Sequence, residues 1–359
     1  MSASPDSDPR SLLIEAMEDS RRALLAASSS EDWEVVKRQA HRHGLAGVLA
    51  HLYGDRLPVE QKLWRKEVAA TQMVAHHRRL RQLQSIAEAL DAEGIRFVVL
   101  KGPVLGERYF NPPFLKVCGD LDLLVDEANL ERAGRCLEDI GLREEICSLP
   151  WWVWRRGSHH IAFKPSSMRP EWIPVELHFR LLGQHSPISS MDLLDRAELW
   201  VGANGLQVRV LDRADEAIFL ANHAARHLFA RLAWLYDALV VFRTLSMAER
   251  DQALALARKA GAITALSAAN RAAMEFFHEP LLADLPDFAA WPAFRSQAAG
   301  VKLIDNKMRW RERWLQRILI RKLALQLAGS LREDFEWVEG YFLIPVMVRS
   351  WMFLRRFLP

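Results

Sequence analysis

The spacing of hydrophobic positions changes character twice along the chain. From Ser11 to about Ala92 apolar residues recur every three or four positions, the spacing of helices with one buried face. Leu12, Leu13, Ala16 and Met17 open the pattern, and Ser30 with Trp33 begins another helix after a Ser-rich break. Pro58, a residue type favoured at a helix's first position, begins a long helix that runs to about Ala92. Glu93-Gly94 ends it, and the signal changes at once. Ile95–Leu100 and Asp120–Val125 read as strands; Gly102–Tyr109 reads as a short helix, with a break at Asn111-Pro112-Pro113. Glu127–Ile140 returns to helix, with Leu130, Ala133, Leu137 and Ile140 on one face, and Gly141 closes it. Leu142–Cys147, Ser158–Lys164 and Ile173–Phe179 are further strands. After Gly183 the pattern is mainly helical, with one short strand at Gln207–Leu211. The helices there run from Arg213 to about Phe229, N-capped by Asp212, and from Leu232 to Leu245.

These elements predict an α+β protein. A small mixed or antiparallel sheet unit over residues 93–183 is flanked by an N-terminal helical region, 11–92, and a C-terminal helical region, 184–359; residues 1–10 are expected to be disordered. With 359 residues, half of them hydrophobic, the chain can bury one large core or several modest ones. The polar start, MSASPDSDPR, has no signal-peptide apolar core. The apolar run Tyr341–Val348 is stopped by Arg349 well short of the roughly 20 residues a membrane span needs. Cys118, Cys136 and Cys147 have no metal-ligand spacing and leave one thiol unpaired, which fits a reducing, cytoplasmic setting. The net charge of +3 is compatible with anionic partners, and basic residues outnumber acidic ones from Lys302 to Lys322. Among thirteen tryptophans, Trp151, Trp152 and Trp154 lie close together and read as packing residues.

Chemistry concentrates between Val98 and Val125. Asp120 and Asp122 share one face of their strand, because side chains alternate, and two like charges that close call for a cation between them. Lys101-Gly102 ends the preceding strand with a positive charge beside a flexible backbone. In Ile173–Arg180 the alternation is strict: Glu176, His178 and Arg180 share the face opposite Ile173, Val175, Leu177 and Phe179. If this strand lies beside that of Asp122, Glu176 adds a third carboxylate, and His178 and Arg180 neutralise the cluster or touch a phosphate. Such a set suits a hard divalent cation with phosphate oxygens completing its shell. His223 and His227 stand at i, i+4, a spacing that can bind zinc, but no third ligand accompanies them. Docking of the helical region or lining of a substrate cleft remain open for them, and Asp237 is a candidate partner for a histidine or an arginine. His159-His160 opens a strand and reads as ordinary polarity. His76, His77, Arg78, Arg79 and Arg81 read as a solvated helix face. Neither a Walker A sequence nor Gly-x-Gly-x-x-Gly is present, which argues against a P-loop kinase or a Rossmann dehydrogenase.

Lys101-Gly102 after a strand, Tyr109 and a Pro-containing loop, Gly119-Asp-Leu-Asp-Leu-Leu-Val125 and Val175-Glu-Leu-His178 together resemble an uncharacterised nucleotidyltransferase family of the DNA polymerase β-like superfamily. His223-Ala-Ala-Arg-His227 followed by Leu235-Tyr-Asp237 resembles that family's helical segment, so the likeness runs from about Ile95 to Phe242. The resemblance implies a palm-like domain. In it Asp120, Asp122 and Glu176 hold Mg2+ or Mn2+, and Glu176 is a candidate acceptor of the nucleophile's proton. It places Lys101, Gly102, Lys116 and Gly119 at the nucleotide's phosphates, with His178 and Arg180 nearby. Two positions depart from the pattern: Pro103 stands where Ser is usual and offers neither N–H nor hydroxyl, and Lys116 stands where Arg is expected.

The function expected is Mg-dependent transfer of a nucleoside monophosphate from a nucleoside triphosphate to an acceptor hydroxyl on a small molecule, peptide or protein. One alternative is a toxin-like transferase acting on tRNA or RNA 3′ ends, drawing on Lys302–Lys322 and the Arg78 region. Another is a non-catalytic nucleotide-binding scaffold, drawing on Pro103 and Lys116. A third is membrane-surface association through the basic, aromatic tail Trp351–Phe357.

Overall fold

The computed structural model describes residues 29–288 except 55, 56, 58, 146–158, 182–185 and 187. Residues 1–10, the Leu12–Met17 helix, Pro58, Cys147, the Trp151–Trp154 cluster, Lys302–Lys322, Tyr341–Val348 and the Trp351–Phe357 tail lie outside the described residues.

Helix α1 (Ser30–His43) is capped one residue earlier than Ser30: the Ser29 side chain accepts from the Asp32 amide, and Asp32 returns the bond. It buries Trp33 edge-on against Tyr53 of α2 (Ala46–Tyr53), with ring centroids 5.2 Å apart. Helix α3 (Val59–Ala92) is continuous. Its later turns bury His76, Leu80, Leu83, Ala87 and Leu90, a three-four spacing that lays one face on the sheet. Among the described residues no helix is long and apolar enough to cross a membrane.

The α+β reading holds. Among the described residues, seven strands form one mixed sheet: β1 (Phe97–Val99), β2 (Leu121–Val125), β3 (Leu142–Glu144), β4 (His160–Pro165), β5 (Val175–His178), β6 (Glu198–Val201) and β7 (Gln207–Val210), in the order β3-β4-β5-β2-β1-β7-β6. β2 runs parallel to β5, and β1 runs parallel to β7; every other pair is antiparallel. Two strands, β6 and β7, come from beyond residue 183 and extend the sheet past β1. Helices α4 (Pro103–Tyr109), α5 (Leu130–Asp139), α6 (Ser190–Arg196), α7 (Arg213–Arg226), α8 (Leu232–Thr244), α9 (Met247–Lys259) and α10 (Ile263–Phe277) complete the described chain.

Alternation along the strands sorts the core into two layers. Phe97, Val99, Leu121, Leu123, Val125, Ile161, Phe163, Val175 and Leu177 pack on one side with Leu83, Ile86 and Leu90 of α3 and Leu130 and Leu137 of α5. Val98 and Leu124 face the other side, where α1, α2, α7, α8 and α10 pack. Asp122 is two residues before Leu124 and therefore belongs to this second face, as do Glu176, His178, His160 and Ala162. The fold thus reserves the polar strand positions for the side covered by the C-terminal helices.

Candidate active site

Strand register and a side-chain clamp bring the carboxylates together. β2 and β5 are parallel neighbours with Asp122 directly beside Glu176 and Leu124 beside His178. Entry into β5 is fixed from α3. The buried Gln82 amide accepts from Ile173 N at 2.9 Å and donates to Ile173 O at 2.8 Å, completing a strand-like pair three residues before Glu176. Asp120 sits just before the start of β2, where the Cys118 thiol donates to its carbonyl at 2.7 Å. Burial pushes that thiol up to about 11, so it stays neutral.

Lys101 follows β1 and is 7% exposed. Its Nζ lies 3.2 Å from Asp122 Oδ2, 3.8 Å from Asp120 Oδ1 and 3.4 Å from His223 Nε2. Burial alone would lower its pKa, yet Asp122 and Asp120 raise it strongly, so the ammonium is a fixed cation at the apex of the acidic pair. Gly102 aims it: φ 82° and ψ −144° belong to a region essentially restricted to glycine. A Cβ there would meet nothing closer than Cys118 Sγ at 3.4 Å, so an alanine fits sterically but not conformationally. Gly102→Ala is expected to cost about 1–3 kcal/mol of stability through backbone strain, measured by urea unfolding.

Asp122, 1% exposed, accepts from His178 Nε2 at 3.0 Å. Burial would raise its pKa, but Lys101 and His178 outweigh it and hold the carboxyl well below the usual range. His178 is disfavoured as a cation by burial and favoured by its bonds to Asp122 and Glu176, and the net shift is upward. Its Nε2 also lies 3.4 Å from Glu176 Oε2, and Glu176 Oε1 lies 3.8 Å from His160 Nε2. Burial pushes Asp120 up, and the neighbouring Asp122 charge adds to it. The structure therefore gathers Asp120, Asp122, Glu176, His178 and Lys101 in one place. Asp122, Glu176 and His178 each offer a ligand atom within 4.8 Å of the others.

Other expected residues lie elsewhere or have other partners. Gly119 is exposed beside Asp120, with open space at its Cα. Arg180 pairs with Glu127 at 3.1 Å rather than with the acidic cluster. Lys116 is buried, donating to Val117 O and pairing with Asp237 Oδ2, both at 2.9 Å. The expectation of a histidine or arginine for Asp237 is corrected: the long Lys116 stem reaches α8 from the loop before β2, while His223 of α7 turns to Lys101. His223 and His227 meet edge to face with ring centroids 4.5 Å apart, and Trp234 packs against both rings at 5.3 and 4.7 Å. This places the helical segment at the wall of the site. His76 is buried and bonded to Glu107 at 2.7 Å, which removes it from the expected solvated face.

Reading the sequence missed three sets of residues. His160 pairs directly across from His178 in the antiparallel β4–β5 ladder, and this was legible only once the two strands were paired. Gln82 gave no signal, being one glutamine on a polar-looking helix. The third set is a tether between α4 and α7: Arg108 Nη1 donates to both Glu216 oxygens at 2.8 Å, and Tyr109 Oη donates at 2.6 Å.

Comparison with protein-family models matches residues 29–278 to a family described as uncharacterised nucleotidyltransferase. No curated protein matches the chain.

Proposed function

Because the chain belongs to the uncharacterised nucleotidyltransferase family, we propose that it transfers a nucleoside monophosphate from a nucleoside triphosphate to an acceptor hydroxyl, with Asp120, Asp122 and Glu176 holding Mg2+ or Mn2+. The observation that carries this reading is the register of β2 and β5, which sets Asp122 beside Glu176 on the polar face.

The residues present fit a divalent ion. Asp122 Oδ2 is buried and has no well-aligned hydrogen bond, only the Lys101 charge at 3.2 Å. Bound ions would neutralise the α-phosphate and the leaving pyrophosphate and acidify the attacking hydroxyl. The protein's own groups do the rest. Lys101, held at the mouth of β1, offers a fixed positive charge to a triphosphate oxygen. Glu176, kept ionised by the His178 bond against the penalty of burial, is an acceptor for the hydroxyl proton. His223, His227 and Trp234 form an aromatic wall on which a base can stack. Pro103 at the first helical position removes one backbone donor, so Lys101 bears more of the phosphate contact.

A small-molecule or peptide hydroxyl is the acceptor we favour. The test incubates the full-length protein with α-phosphate-labelled nucleoside triphosphates, Mg2+ or Mn2+ and panels of small-molecule, peptide and RNA acceptors, read by label transfer and mass shift. Metal-dependent transfer of one nucleoside monophosphate is the expected result. Nucleotide binding without transfer across the whole panel would instead support the scaffold reading, and transfer only to RNA 3′ ends with steep salt dependence would replace the acceptor class.

A further inference from the structure

His159, His160 and His178 converge on the β4–β5 side of the carboxylates. One ring nitrogen from each lies within 4.8 Å of the other two. Ring centroids are 4.5 Å apart for His159–His160, 5.1 Å for His160–His178 and 5.7 Å for His159–His178. The cluster follows from topology: β4 and β5 pair His160 with His178, and Phe179 N donates to His159 O at 3.0 Å, which holds His159 at the end of that ladder.

A second observation concerns His178, which is 5% exposed. Its Nε2 must carry a proton, because its partner Asp122 Oδ1 is an acceptor only. Its Nδ1 is buried with no hydrogen-bond partner. Buried polar atoms are nearly always satisfied, so an orphaned imidazole nitrogen beside two further imidazoles calls for an explanation. A ring that donates one nitrogen's proton to a carboxylate and leaves the other nitrogen open is the arrangement metal-ligating histidines adopt; the carboxylate fixes the tautomer and orients the ring.

We propose that His159, His160 and His178 form a nitrogen-rich cation subsite, adjoining the carboxylates, that takes a borderline divalent transition metal of the Zn2+ or Co2+ kind in preference to Mg2+. Imidazole nitrogens suit such ions, whereas Mg2+ takes oxygen ligands and keeps its waters. Asp122 and Glu176 then serve two purposes, as oxygen ligands on one side and as orienting acceptors for histidine on the other. The subsite rests on these side chains and stands apart from the choice of nucleotide or acceptor.

The test is Co2+ titration of metal-stripped, full-length protein, followed by visible absorption. The expected result is one Co2+ per chain, with the intense bands of a nitrogen-ligated ion of low coordination number, persisting in millimolar Mg2+. His159→Gln and His160→Gln should each weaken binding by at least about 10-fold, with unchanged circular dichroism confirming the fold, while Asp120→Asn leaves the bands in place. Absence of bands in the wild type, displacement by Mg2+, or wild-type affinity in both histidine variants would overturn the subsite. Such a failure is distinct from that of the transferase reading: Mg2+-dependent transfer without Co2+ bands removes only the subsite, and Co2+ bands without transfer remove only the transferase.

Discussion

Replacing Asp122 with asparagine is expected to slow nucleotidyl transfer by about 10²–10³-fold or more, the scale seen when one preorganised charge-stabilising group is lost. The substitution preserves shape and keeps a carbonyl to accept from His178, so the loss is one of charge. Asp122 is the residue on which Lys101, His178 and the β2–β5 register all converge. Removing its charge leaves the Lys101 ammonium with Asp120 at 3.8 Å and the more distant Glu176 charge, and frees it to shift. Single-turnover rates of wild type and Asp122→Asn at saturating nucleotide, with thermal unfolding as a control for folding, measure the effect. A variant that transfers at the wild-type rate would remove Asp122 from the reaction.

The second large effect concerns stability. Glu216→Ala is expected to destabilise the protein by about 3–5 kcal/mol, the usual cost of leaving a desolvated charge, here Arg108, without its partner. The largely buried Arg108 would be left with its Nη1 unpaired, and Tyr109 would lose the acceptor at 2.6 Å. Burial pushes the Glu216 carboxyl up to about 7, against the pull of Arg108 and Tyr109 towards the ionised form. The folded protein therefore holds this proton to higher pH than the unfolded chain does. Its contribution is fully present below about pH 4.5 and is lost as pH rises through about 7, the reverse of a carboxylate with a lowered pKa. Urea unfolding across that window checks both points. Glu216→Ala should lower the midpoint, and Glu216→Gln, which has no proton to lose, should flatten the decline between mildly acidic and neutral pH. A pH profile in Glu216→Gln that matches the wild type would rule out this carboxyl as the cause.

Strands and helices with strong periodicity were legible in the sequence because burial on one face imposes the spacing. β2, β5 and α3 fall close to where alternation and three-four spacing put them. β6 was missed because it is a largely exposed strand at the edge of the described sheet, whose one partner among the described residues is β7 through the hairpin at Gly202–Gly205. For the site, Asp120, Asp122 and Glu176 could be grouped by face but not by distance, since the sequence holds no record of which strands are neighbours. Pairing decides the rest: His160 became part of the centre through the β4–β5 ladder, and Arg180 left it for Glu127. Lys116 illustrates the limit for charges. A lone lysine in a loop reads as available, and only the packing of α8 against that loop shows it bound to Asp237.

The pair of hydrogen bonds between Gln82 and Ile173 has a bearing on how the protein can be dissected. The residue that sets the start of β5 stands 91 positions earlier, on a helix that the helical pattern assigns to a flanking region. A fragment trimmed to begin at residue 93 would keep every carboxylate and still lack the part that seats Glu176 beside Asp122. The smallest piece that can keep the centre intact therefore includes α3, well upstream of the first strand.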